Sequence, residues 1–162
     1  MTAATASPSS TSSANSIEKR IELKAPVSRV WRALTDYREF GQWFQAKLEG
    51  PFVAGRVTKG QMTHPGYEHV KLDLTIKEMQ PERLFSYTWH PYNVDPNVDY
   101  SKETPTVVEF RLEKIAIGTL LVVTESGFEN IPAQRRAEAL RRNDSGWAGQ
   151  LRNIEKHVTQ NP

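Results

Sequence analysis

The 162-residue chain contains no cysteine. That excludes a disulfide framework, a thiol nucleophile, an iron–sulfur cluster and any zinc site built on thiolates. No apolar run approaches the roughly 20 residues of a membrane-spanning helix. An excess of one charge is missing too: 21 basic and 19 acidic side chains leave a net charge of +2. Nucleic-acid binding needs a clustered basic face, and only Arg135-Arg136 and Arg141-Arg142 approach one. Neighbouring arginines on a helix point in different directions, so both pairs read as a solvated face, and no nucleic-acid partner is expected. There is no Gly-rich phosphate loop, no G-x-S-x-G elbow and no acid pair at a telling spacing. The four histidines, His64, His69, His90 and His157, show no ligand spacing, so neither a metal nor a cofactor is expected.

Residues 1–16, MTAATASPSSTSSANS, are almost wholly Ala, Ser and Thr. They lack the apolar surface that offsets the entropy of ordering, which predicts a disordered tail preceding one domain over 17–162. The tail has neither the basic and apolar regions of a secretory signal nor the arginines of a transit peptide, and a cytoplasmic chain is expected.

From Ile17 the patterning is regular. Ile17, Ile21 and Leu23 share a period-2 face with Lys19, predicting a half-buried strand. Pro26 stands where a helix should open, and Val27, Val30, Trp31 and Leu34 form its apolar stripe. Asp36 and Glu39 fit a variant capping box restarting a second short helix through Phe44. Strands and turns then run from Ala46 to Phe128. Val70, Leu72, Leu74 and Ile76 alternate with polar residues, as do Val108, Phe110 and Leu112. One wet and one apolar face, with no intervening helix, indicates an antiparallel sheet. Leu140, Trp147, Leu151, Ile154 and Val158 form one helical stripe after Pro132, and Asn143–Gly146 predicts a kink or restart within it. The fold class is α+β: a curved antiparallel sheet wrapped on a long C-terminal helix, with two short helices after the first strand.

The chain resembles the activator of Hsp90 ATPase homologue-like (AHSA1-like) family of the Bet v 1/START (SRPBCC) superfamily, whose architecture is the helix grip. The matching residues are Pro26-x3-Val30-Trp31-x-Ala33-Leu34-Thr35, Trp43-Phe44, Thr106-x-Val108-x-Phe110-x-Leu112, Gly118-Thr119 and Glu125-Ser126-Gly127-Phe128. Pro132-x2-Arg135-Arg136, Asn143-x2-Gly146-Trp147 and Gln150-Leu151 complete the match across 17–158. The resemblance implies a cavity between sheet and helix, and turns the Phe85, Tyr87 and Trp89 face of one strand toward that helix. One fold hosts many chemistries, so function has to come from the site.

Trp43, Tyr87, Trp89 and Trp147 are candidate walls for a small apolar or aromatic ligand, set against ordinary core packing. Glu125 continues the inward period of Leu121 and Val123. It either anchors a ligand hydroxyl or amine inside the cavity, or lies at the strand end and reaches water or an arginine of the last helix. The loop Pro91–Pro105 either covers a mouth of the cavity or is an inert insertion. Binding of a small molecule leads; an Hsp90-type chaperone or other protein partner, and a cyclase- or hydrolase-type enzyme using Glu125, are the alternatives.

Overall fold

A computed structural model describes the backbone of Ser9 and Ser10 and residues 15–162. The expectation of a disordered tail falls largely outside the described residues; of its sixteen positions, Ser9, Ser10 and Ser16 lie in strands. The elements in chain order are β1 (Ser9–Ser10), β2 (Ser16–Leu23), α1 (Val27–Thr35), α2 (Tyr37–Phe44), β3 (Ala46–Leu48), β4 (Val57–Met62), β5 (Lys71–Gln80), β6 (Leu84–Trp89), β7 (Thr106–Ile115), β8 (Gly118–Ser126) and α3 (Ala133–Gln160). Seven strands of three residues or more, with the two-residue β1, form one antiparallel sheet in the order β1-β2-β8-β7-β6-β5-β4-β3. β2 therefore reaches across to the last strand, while β3 to β8 follow as a meander. The α+β class and element order are as the patterning predicts, and the helix grip is as the resemblance implies. No described helix is long and apolar enough to cross a membrane.

Local chemistry explains the junctions. Pro26 is the residue before α1 and not its first, with its carbonyl taking the amides of Arg29 and Val30. Asp36 caps α2 by accepting from the amides of Arg38 and Glu39, but Glu39 does not return the bond. Its carboxylate is drawn away by Arg29, Arg32 and His157, so only half of the capping box forms. Pro65-Gly66 makes the expected turn: Gly66 has φ 94° and the Tyr67 amide donates to the His64 carbonyl. Gly41 lies where α2 meets β3, and a Cβ there would stand 2.4 Å from the Ala46 carbonyl oxygen.

The concave face of the sheet supplies the core. Ile17, Leu74, Ile76, Phe85, Tyr87, Val108, Phe110, Leu121 and Val123 are fully buried. They pack under Phe40 of α2 and under the α3 stripe of Trp147, Leu151, Ile154 and Val158. Lys19, on the inward face of β2, bonds Asp144 of α3 at 3.2 Å.

Residues 143–146, expected to kink or restart the helix, do not interrupt it: α3 is continuous over 28 residues, about 42 Å at 1.5 Å per residue. Its weak helix formers are held by tertiary contacts instead, Asp144 by Lys19 and Asn143 by Glu125. The arginines are less uniform than a solvated face. Arg141 and Arg142 are exposed beside Glu138, whereas Arg135 and Arg136 are tied to the Pro91–Pro105 loop and the Ile131 carbonyl. The His157 side chain is 9% exposed and bonds Glu39.

Candidate functional site

Glu125 is the residue from which the site is built. The β8 pleat turns it inward with Leu121 and Val123, and it is completely withdrawn from solvent. Trp89 of β6 (2.8 Å, from Nε1) and Thr106 of β7 (2.6 Å, from Oγ1) donate to Oε2. Asn143 (2.9 Å, from Nδ2) and Trp147 (2.8 Å, from Nε1) of α3 donate to Oε1. Four neutral donors from three elements thus surround one carboxyl, and no arginine reaches it. Burial raises its pKa above the usual carboxylate range, while the bonds from Thr106, Asn143, Trp147 and Trp89 pull it back. The arrangement accepts either protonation state. As an anion Glu125 takes all four bonds; as an acid it can donate to the Thr106 oxygen.

In front of this cluster lies a cavity of about 420 Å³, open to solvent on one side, between β4, β5, β6, the start of the Pro91–Pro105 loop and α3. Phe44, Met62, Val70, Leu72, Trp89 and Tyr92 contribute apolar surface. Gln45, Asn93, Asn143, Gln150 and Asn153 contribute carboxamides. Gln45 ends α2 in the left-handed region at φ 63°. A recess of about 100 Å³ adds Trp147 beside Phe44, Trp89 and Asn143. Trp89 and Trp147 have ring centroids 5.8 Å apart at 32°. Each is a wall on one side and a donor to Glu125 on the other. Glu125 does not itself line the cavity; it orients three residues that line the cavity or its recess.

Two glycines add no side chain to the α3 side of the space. Gly146 and Gly149 lie within α3 and line the cavity, and a Cβ at either would meet no atom within 4 Å. Glycine inside a helix costs about 1 kcal/mol relative to alanine, so these positions give up helix stability while leaving the cavity unfilled. Asn143, Gly146 and Trp147 stand at i, i+3 and i+4, one helical face, which was visible in their spacing. The cavity those residues face was not.

Trp43 and Tyr87 are set apart from the cavity. Trp43 is 3% exposed and donates from Nε1 to the Ala33 carbonyl at 2.8 Å, locking α2 against α1. Tyr87 is fully buried, and its hydroxyl has no hydrogen-bond partner among the described residues. Burial, and then the charge of Glu125, raises its pKa well above the usual phenol value. His90 lines the cavity; its Nδ1 is buried without a partner, and burial lowers its pKa.

The loop after β6 contributes its first residues, Pro91–Val94, to the cavity wall. Arg135 of α3 pins it. Its guanidinium grips Glu103 at 2.6 Å, donates to the carbonyls of Pro91 and Tyr92, and lies 4.7 Å from the Tyr100 ring centroid. Asn93 donates to the Lys71 carbonyl, and His69 bonds the Val94 carbonyl, tying the loop to β5 and the turn before it. Among the described residues, no three His, Asp or Glu side chains converge as metal ligands.

Comparison with known proteins agrees with this architecture. The model of the family described as activator of Hsp90 ATPase homolog 1-like protein matches residues 24–159. A crystal structure of protein MLL2253 from Mesorhizobium loti is 25% identical, with a TM-score of 0.71, covering 91% of this chain and 98% of its own. CalU16 from Micromonospora echinospora is 23% identical with a TM-score of 0.62, covering 89% of this chain and 76% of its own. The Aha1 dimer from Colwellia psychrerythraea is 20% identical with a TM-score of 0.66, covering 88% of this chain and 95% of its own. These last two similarities are of fold. No curated protein matches the chain.

Proposed function

We propose that this chain, which belongs to the activator of Hsp90 ATPase homolog 1-like family, is a cytoplasmic binding protein for a small apolar or aromatic molecule. The observation that carries this is the cavity that Gly146 and Gly149 leave unfilled in front of the Trp89–Glu125–Trp147 cluster. Its size lies in the range of small-molecule sites, and its lining pairs apolar surface with a few convergent amides. Trp89 and Trp147 are the aromatic walls. Glu125 acts through them: with both oxygens engaged it fixes the indoles and Asn143 in place before a ligand arrives, which lowers the ordering cost of binding.

The experiment is native mass spectrometry of the full chain before and after denaturing extraction, alongside titration of aromatic fragments followed by tryptophan fluorescence. Gly149→Leu is the matched variant, because the new side chain enters open space and leucine favours helix. Binding that is lost in a variant of unchanged or higher stability supports the reading. Saturable binding that survives Gly149→Leu, or its absence in the parent chain, overturns it.

A second reading is a partner surface for an Hsp90-type chaperone, favoured by the family itself and by the likeness to the Aha1 dimer. Pull-down of such an ATPase with a change in its turnover distinguishes it. An enzyme with Glu125 as general base is disfavoured by the geometry, since its oxygens are occupied and separated from the cavity by their donors.

A further inference from the structure

The charges around the cavity are one-sided. Among the described residues no aspartate, glutamate or lysine lines it, and the only permanently charged lining side chain is Arg142. Glu125, behind the wall, has both oxygens committed to neutral donors. Arg142 projects from α3 with its side chain 49% exposed, its Nε donating to Glu138 at 2.9 Å and its guanidinium 5.7 Å from the Tyr92 ring centroid. Glu138 occupies the Nε position, and the two terminal nitrogens have no acceptor among the described residues. A guanidinium held over a ring and engaged at one nitrogen still presents the paired donors that suit a carboxylate.

A ligand entering this site meets one guanidinium, paired at Nε with Glu138 outside the lining, several uncharged amides and no lining carboxylate. An ammonium group finds amide oxygens but no carboxylate, and Arg142 opposes it. A dianion keeps one charge uncompensated. A neutral aromatic leaves the terminal nitrogens of Arg142 to water, whereas a carboxylate replaces that water with a charged acceptor. We propose that the cavity selects a monoanionic amphiphile, an aryl or branched-alkyl carboxylate whose charge meets Arg142 while its body lies against Trp89, Phe44 and Leu72. This rests on the reading of the cavity as the ligand site and names the ligand class for it. Arg142 is then the specificity determinant, a role the arginine pair did not suggest in the sequence.

The test compares 2-naphthoate, 2-naphthamide and 2-naphthylmethylammonium, which share one ring system and differ in charge, by calorimetric titration of the full chain at low and high salt. The expected result is that the carboxylate binds about tenfold more tightly than either analogue, a difference of about 1.4 kcal/mol. That margin shrinks with salt, as a partly exposed charge pair requires. In Arg142→Gln the carboxylate falls to the level of the amide, while Arg142→Lys keeps part of the preference. Equal or tighter binding of the amide or the ammonium overturns the charge selection and leaves the cavity reading standing. Full carboxylate preference in Arg142→Gln does the same. Failure of all three to bind, or binding unaffected by Gly149→Leu, overturns both.

Discussion

Glu125 is fully buried and Glu39 largely so, and both accept bonds from several elements, yet their surroundings push them in opposite directions. Glu39 stands where α1, α2 and α3 meet. Arg29 and His157 donate to Oε1 at 2.8 and 2.9 Å, and Arg32 to Oε2 at 2.8 Å. Burial alone would raise its pKa, but the bonds from His157 and Arg29, the Arg29 charge and the Arg32 bond outweigh it and hold the carboxyl below its usual range. Arg29 also donates to the Asn161 carbonyl, so the cluster ties the end of α3 to α1. At Glu125 no cation offsets the loss of water, and burial prevails over four dipolar donors. A cation-paired carboxylate joins helices as an ion cluster; a dipole-solvated one sits behind the cavity wall without bringing a counter-charge near it.

The largest effect expected from breaking this contrast is Glu125→Ala. It leaves two indole N–H groups, an amide and a hydroxyl facing each other around a void, at a cost on the order of 3 kcal/mol or more. Urea denaturation followed by tryptophan fluorescence measures it, and a loss under about 1 kcal/mol would show that these donors are satisfied elsewhere.

The pH dependence of stability separates the two carboxyls by sign. Folded Glu125 holds its proton more tightly than the unfolded chain does. Its contribution is therefore complete below the unfolded pKa and is lost as pH rises through the folded one. Glu39 behaves oppositely: its contribution is present above the unfolded pKa and lost as pH falls through the folded one. Denaturation midpoints across about pH 3 to 8 should flatten toward neutrality in Glu125→Gln and on the acid side in Glu39→Gln. The Glu39 variant should cost about 1–3 kcal/mol near neutral pH. Identical slopes in both variants would erase the proposed difference.

The smallest effect serves as the reference. Lys59 and Asp73 pair across β4 and β5 at 3.2 Å with side chains 66% and 56% exposed. Asp73→Asn should change stability by less than about 0.5 kcal/mol and lose even that in high salt. A larger cost would mean that burial is not what separates strong from weak pairs in this protein.

Much of this was legible in the residues. The period-2 faces of β2, β5 and β7, the stripe of α1 and the Trp147–Val158 stripe identify their elements because one-sided burial imposes a period. Glu125 announced itself as a carboxylate on an apolar face. Its partners could not be read, since Trp89, Thr106, Asn143 and Trp147 lie 36, 19, 18 and 22 residues away. The register Val108↔Glu125 and the seating of α3 are what bring them together. The same applies to the capping box at Asp36, where local spacing favoured a bond that Arg29 and His157 then took over.

The sequence by itself determined the order of strands and helices and the inward faces of β2, β5 and β7, because hydrophobic periodicity is a local property of the chain. Only the tertiary structure decided that Trp43 and Tyr87 belong to the core while Trp89 and Trp147 face a cavity. It also decided that Glu125 stands behind that cavity, that α3 remains unbroken through its glycines, and that Arg142 is its one permanent charge. Volume, desolvation and charge balance depend on which distant surfaces meet, and no stretch of the chain carries that information alone.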